Sequence, residues 1–535
     1  MLGHYTTGLG PLRPGRGDMR IVGKRTGPRG PALVGRPHDR RMRRTKILAT
    51  VGPGSIRRTI LEQMARAGAN AFRINFSHGT DEEHVMYLGR VRSVARASGR
   101  HLAILGDVPG PKIRLGVIRS GSVRLTPGQE WILDSEVKRP GDGTRVGAQV
   151  PRISEAARVG DPVILGDGLV DLVVEEIRAG TLVTRVVHGG VVSDHAGIYF
   201  PRAHLRTAVL AAKDRHDIAI GVEHGMDFLG LSFVRDREDI LLARRVLDAR
   251  PGGASVGIVA KIERAEALDH LEEILEVADG IMVARGDLGI EVPLERLALE
   301  QKRMIRAAHR AGRFSIVATQ MLLSMVHAPR PTRAESTDVA NAVLDGADAV
   351  MLSEETAIGD FPAEAVGWLD RIANATEPAL ATSSFRDESG AGNERWTDER
   401  AVARAAVELA EGVGAGAIVA PTHSGRTARW IASLRSSIPT LALSQRPETL
   451  RHLALIWGVI GRPAPESRGG LVDLRRAAYQ VVASEIRDPG PVVLTAGFPV
   501  EGRPTNLVTL VDPPGRSGSR ASKPQGRRQR PSPRV

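Results

Sequence analysis

The stretch IVAKIERAEALDHLEEILEVADGIMVARGDLGIEVP, residues 258–293, carries two short apolar runs that each end in charge: Lys261 and Glu263 after the first, Arg285 and Asp287 after the second. Between them Leu268, Leu271, Ile274 and Leu275 recur at helical spacing. Strand, helix, strand is the repeating unit of a parallel sheet. The polar residues fall at the carboxyl ends of both strands, where such sheets collect their chemistry. A lysine and two carboxylates placed there are able to hold a phosphate and a divalent cation together.

Outward from this unit the same rhythm continues. Before it come a strand from Thr45, a helix Thr59 to Ala67, a strand Ala71 to Asn75, a helix Asp81 to Ala97 and a strand from His101 to Leu105. Strands near Phe228, Phe314 and Ala349 complete eight βα units over residues 45–111 and 201–360. Their combined length of about 230 residues matches a (β/α)8 barrel. Residues 112–200 alternate Val, Ile and Leu with Gly, Asp and Pro, which predicts an inserted small β-barrel lid. Residues 361–513 read as a helix from Pro362 to Asn374, a loop Ser383 to Asn393, and a C-terminal α/β domain with an open, mostly parallel sheet whose strands lie near Ala417, Thr440, Gly458 and Pro491.

Composition narrows the function classes. No apolar run approaches the roughly 20 residues of a bilayer span, so no membrane span is expected. The 535 residues include no cysteine, which excludes disulfides and thiolate chemistry and fits a cytoplasmic location. The net charge of +13 belongs to the ends: eleven basic residues stand against Asp18 and Asp39 in residues 1–44, and seven stand with no acid in 514–535. These Gly/Pro-rich segments lack the apolar content to fold alone and read as solvated tails, in preference to segments that grip nucleic acid or anionic lipid. The N-terminal segment has no apolar core like a secretory signal, and its few serines support an organelle-targeting reading poorly.

If the barrel closes, its strand ends share one face. They contribute Arg73, Asn75, Ser77 and His78; Asp107; Ser232; Lys261 and Glu263; Asp287; Thr319 and Gln320; Ser353 and Glu354. Glu263 and Asp287 offer hard oxygen ligands suited to Mg²⁺ or Mn²⁺ and poor for zinc. The alternative for Glu263 is a plain ion pair with Arg264 or Lys261. Lys261 is a point charge able to follow a moving phosphoryl group, which Arg73 can grip bidentately. Arg285-Gly-Asp-Leu-Gly reads as a turn whose N–H groups can approach an anion. In the last domain Thr422-His-Ser-Gly-Arg-Thr-Ala-Arg follows a strand and opens a helix, as a phosphate cradle or as an ordinary N-cap. His84, His216 and His224 have no triad-like company, and no GxSxG or Walker A pattern occurs.

Taken together these segments resemble pyruvate kinase. The resemblance rests on RRTKILATVGP (43–53), FRINFSHGT (72–80), GPKIRLG (110–116), GVEHGMDFLGLSFVR (221–235), AKIERAEAL (260–268), GIMVARGDLGIEVP (280–293) and the run from Ala318 to Pro362, all in the family's order. It implies a (β/α)8 barrel with a β lid after the third strand, a C-terminal α/β domain, and transfer of a phosphoryl group from phosphoenolpyruvate to ADP, giving pyruvate and ATP. It further implies that Arg73 and Lys261 neutralise the phosphoryl group and that Glu263 and Asp287 hold Mg²⁺ or Mn²⁺. Backbone N–H groups of Gly286 and Asp287, with Thr319, would bind the substrate carboxylate, and Thr319 or a water near it would relay a proton. Asn75, His78 and Arg114 would face the nucleotide. The loop Ser424, Gly425, Arg426 and Thr427 resembles the family's site for phosphorylated activators, and the family is commonly a homotetramer.

Departures from the family pattern are as informative. Many relatives read Asp-Thr-Lys-Gly-Pro-Glu where this chain has Asp107-Val-Pro-Gly-Pro-Lys112. In those relatives the positions of Asn75, Ser77, Asp107 and the Val108 carbonyl hold K⁺, and the glutamate accompanies potassium dependence. Lys112 therefore implies that K⁺ is not required. Ala196-Gly-Ile-Tyr-Phe-Pro201 lacks the lysine that the family often places at the nucleotide, and Ser353-Glu-Glu-Thr356 adds a carboxylate where relatives have glycine. The rival readings are another metal-dependent barrel enzyme acting on phosphoenolpyruvate or pyruvate, and a non-catalytic regulatory relative that binds anionic partners through its tails.

Overall fold

A computed structural model of the chain describes residues 43–137, 139–150, 152–166, 168–201, 209–380, 396–465, 470–487, 489–497 and 505–512. The loop Ser383 to Asn393 and nearly all of both basic tails lie outside the described residues. Arg43 and Arg44, read from sequence as tail, are anchored to the body. Arg43 Nε pairs with Asp370 at 2.9 Å, and Glu377 accepts the Arg44 N–H at 2.8 Å.

Eight parallel strands close into a barrel: Lys46–Val51, Ala71–Asn75, Ala103–Val108, Phe228–Leu231, Gly257–Ile262, Gly280–Ala284, Phe314–Ala318 and Ala349–Leu352. Closure comes from the first strand pairing with the eighth, Lys46 opposite Ala349. Side chains alternate across a strand, so every second residue faces the interior. Ala71, Leu105, Val259, Met282 and Ile316 fill the lower interior, where Leu453, Leu455 and Ile456 of the C-terminal domain pack against them. The next inward positions of three of these strands are Arg73, Asp107 and Lys261. Apolar residues thus plug one end of the barrel and polar ones surround the other. The outward residues, among them Ile74, Ile104, Ile258 and Val283, join the helices in the main core. The helix Asp81–Ser98 begins at a capping box, with the Thr80 and Glu83 side chains each satisfying the other's N–H.

The lid is the expected inserted β domain, a curled half-barrel of six strands in the order Ile198–Tyr199, Pro162–Leu165, Val170–Arg178, Thr181–His188, Glu130–Asp134, Arg145–Gly147, beside a two-stranded ribbon. Residues 113–116 run between its two edges: the Leu115 N–H donates to the Ala196 carbonyl at 2.9 Å on one side and the Gly116 N–H to the Gly147 carbonyl at 2.7 Å on the other. The C-terminal sheet is open as expected, in the order Val459–Pro463, Thr440–Ser444, Ala417–Pro421, Val492–Ala496, Leu507–Val511. Its last strand, absent from the sequence reading, is antiparallel to its neighbour.

Candidate active site at the barrel mouth

Four charged side chains meet inside the open end of the barrel. Arg73 Nε donates to Asp107 Oδ2 at 2.6 Å. Lys261 Nζ lies 3.1 Å from Asp107 Oδ1 and 2.9 Å from Glu263 Oε1. It also donates to Ser232 Oγ at 2.7 Å, and the Ser232 hydroxyl donates to the Val108 carbonyl at 2.7 Å. Glu263 Oε2 accepts the Phe233 N–H at 2.8 Å. The side chains of Asp107 and Glu263 are each only 2% exposed, so these pairs interact with little solvent screening.

That burial governs the protonation states. Desolvation alone would favour a neutral Lys261, but the Asp107 and Glu263 carboxylates outweigh it and hold the ammonium above the ordinary lysine range. Burial likewise works against an ionised Asp107, and Lys261 and Arg73 overcome it, so its carboxyl sits below the usual range. Burial pushes the Glu263 carboxyl up, with Lys261 opposing and Asp287 adding to the rise. Two carboxylates that repel across one mouth, with only oxygen donors and no thiolate, fit a hard divalent cation. Of the two alternatives for Glu263, the ion pair is with Lys261; Arg264 stacks over the Phe233 ring instead, 5.8 Å from its centroid.

Asp287 sits on the helix Arg285–Glu291, where a turn was expected; the buried Leu288 draws this segment into the core and lets it coil. Its Oδ1 accepts from Tyr199 Oη at 2.8 Å and pairs with Lys112 Nζ at 3.2 Å, both contributed by the lid side of the mouth. Beside it Thr319 and Gln320 follow the seventh strand with φ of 70° and 54°. A β-branched residue in that region is strained, and such strain is concentrated at functional sites. Arg285 secures the turn by donating to the Ala318 and Thr319 carbonyls while pairing with Asp338 at 2.7 Å. Thr319 Oγ1 accepts the Gly286 N–H at 2.9 Å and donates to the Ala318 carbonyl at 2.6 Å.

The fold therefore brings Arg73, Asp107, Lys261 and Glu263 together, and Gly286 to Thr319. Asn75 lies next to Asp107 in the strand register and accepts the Ser77 N–H at 3.1 Å, while Ser77 and His78 are exposed on the rim. Arg114 is not drawn to the charged cluster; its guanidinium donates to the lid's own His195 carbonyl at 3.1 Å. Glu354, the added carboxylate, is exposed. Ser232 appeared among the strand ends without a role, and its place under Lys261 emerges only in three dimensions. Nothing local in the sequence signals the bond of Tyr199 to Asp287, which spans 88 positions.

A second polar site lies at the other end of the barrel. The helix Arg426–Ser433 starts after Gly425, whose φ is 79° and which uses no side-chain cap. The Gly425 N–H donates to Thr422 Oγ1 at 2.8 Å, so the loop closes on its own threonine just before the helix. Ser424, Arg426 and Arg429 line a cavity of about 490 Å³ together with Arg244, Asp279 and Arg313 of the barrel domain. Thr427 is turned inward, its hydroxyl 2.5 Å from that of Thr505.

Residues 42–366 match the sequence profile of the pyruvate kinase barrel domain, and residues 400–511 that of the pyruvate kinase alpha/beta domain. The chain is 40% identical over 473 residues to the pyruvate kinase of Geobacillus stearothermophilus, covering 88% of this chain and 80% of that one. It is 41% identical over 477 residues to the pyruvate kinase of Methylorubrum extorquens, covering 88% and 98%. The pyruvate kinase of Thermococcus litoralis is 41% identical over 419 residues, covering 78% and 88%. With both domains matched in order and a cation-lined, carboxylate-bearing mouth on the barrel, the chain belongs to the pyruvate kinase family of enzymes.

Proposed function

We propose that the barrel mouth transfers the phosphoryl group of phosphoenolpyruvate to ADP through Lys261 and Arg73, and that it does so without potassium. The observation that carries this reading is the buried cluster in which Asp107 aligns both cations. Phosphoryl transfer depends on in-line positioning and charge neutralisation more than on covalent chemistry, and two fixed cations supply both. Glu263 and Asp287 would hold Mg²⁺ or Mn²⁺, which when bound contributes charge that neutralises substrate oxygens. The N–H groups of Gly286 and Asp287 bind the substrate carboxylate with Thr319. Once the phosphoryl group has left, the enolate takes a proton at carbon from Thr319 Oγ1 or a water on it, and collapse to the more stable ketone drives the reaction. Asn75, His78 and Arg114 serve the nucleotide, the last after the lid rearranges.

Potassium independence is supported by charge balance. Asp107 already has two cations of the chain, and Lys112 brings a third to the mouth. The arginine-lined cavity beside Ser424, Gly425 and Arg426 suits a phosphorylated effector. A cytoplasmic homotetramer is the assembly that fits the family, with the exposed Leu294 and Leu299 as apolar surface for a second copy. The test is a coupled assay of ADP-dependent pyruvate formation with and without KCl and with a panel of phosphorylated metabolites. Wild type is expected to gain nothing from KCl, whereas Lys112→Glu should become potassium-dependent. A strong stimulation of the wild type by KCl would overturn the potassium reading and leave the transfer chemistry standing.

A further inference from the structure

The geometry points to Tyr199 as a lid-borne positioning residue that orients Asp287 for the divalent metal. Tyr199 lies on the two-residue edge strand Ile198–Tyr199 of the lid. Its ring is buried, and its hydroxyl donates to Asp287 Oδ1 at 2.8 Å. Lys112 Nζ reaches the same oxygen at 3.2 Å and stands 5.1 Å from the centre of the Tyr199 ring. Gly197 makes room for this pair: a Cβ there would lie 2.9 Å from Tyr199 Cε2 and 3.0 Å from Lys112 Cε. The two donors thus form one packed unit on the lid side, and both bonds fall on Oδ1. That arrangement fixes the orientation of the carboxylate at the mouth.

A carboxylate that ligates metal is held in place by such outer partners, and removing one typically weakens metal affinity by roughly 10- to 100-fold. The tyrosine acts through Asp287.

This inference rests on the proposal that Asp287 is a metal ligand, and the experiment separates the two. Mn²⁺ affinity is measured by electron paramagnetic resonance on the substrate-free full chain for wild type, Tyr199→Phe and Asp287→Ala, with circular dichroism to verify folding. Tyr199→Phe is expected to raise the Mn²⁺ dissociation constant roughly tenfold. In turnover it should raise the Mn²⁺ concentration needed for half-maximal rate by a similar factor, with kcat recovered at saturating metal. Asp287→Ala should lose the site. If Asp287→Ala binds weakly but Tyr199→Phe matches wild type or binds more tightly, the positioning role is overturned and the ligand assignment survives. If Asp287→Ala binds Mn²⁺ like wild type, both fall.

Discussion

Replacing Lys261 with methionine tests the centre of the site. The ammonium lies within 3.1 Å of Asp107 and 2.9 Å of Glu263, whose side chains are almost fully buried. After the change Asp107 still has Arg73 at 2.6 Å, but Glu263 keeps no cation partner and only the Phe233 N–H. An unpaired buried carboxylate typically costs about 3–5 kcal/mol, and Glu263 can escape part of that by taking up a proton, since burial already pushes it up. The variant should therefore fold with a lowered melting temperature. Its activity should fall roughly 10³-fold or more, because no other described cation stands over both carboxylates to follow the phosphoryl group. The pH sign follows from the raised folded-state pKa of Lys261. Its stabilising contribution is fully present below the ordinary lysine value of 10.5 and is lost only as pH rises through the higher folded value. The alkaline limb of the wild-type rate profile below pH 10 should accordingly not report Lys261. The coupled assay with purified Lys261→Met at saturating Mg²⁺ decides the matter. A rate within tenfold of wild type, with the fold intact, would refute the assignment of Lys261 as the main neutralising group.

Two other perturbations follow from the structure. Thr319→Gly relieves a β-branched residue held at φ 70° but also removes the Oγ1 bonds to Gly286 and Ala318, so melting should shift by the equivalent of about 1 kcal/mol or less while kcat falls through loss of Oγ1; an unchanged kcat would contradict the role of Oγ1. Lys46, buried at the base of the barrel with Nζ donating to the Val459 carbonyl, is pushed down to about 7 by burial and then by Arg43. An unfolded lysine keeps its proton up to the ordinary 10.5, so stability should rise between pH 7 and 10.5 by an amount on the order of a few kcal/mol and be lowest below 7. Melting temperatures of wild type and Lys46→Met across that range should diverge in slope, and parallel curves would show that Lys46 is not the source.

Local pattern carried much of the architecture. Period-two alternation placed Ala71, Arg73 and Asn75 on one face of a strand, and likewise Val259, Lys261 and Glu263. Because this periodicity is a property of neighbouring residues, the eight units, their polar ends and the phosphoryl and metal candidates were all legible in the chain. The match to a known family then added roles that spacing alone leaves open.

What needed the tertiary structure is what depends on residues far apart in the chain. The second to fifth strands curl around the barrel, and only then does Asp107 come to lie between Arg73 and Lys261. The bond of Tyr199 to Asp287 depends on where the lid meets the barrel, a matter of packing between two domains. Sequence by itself determined which groups stand at the strand ends, since alternation is local. The structure alone decided which of them touch, since contact is set by closure and docking over hundreds of residues.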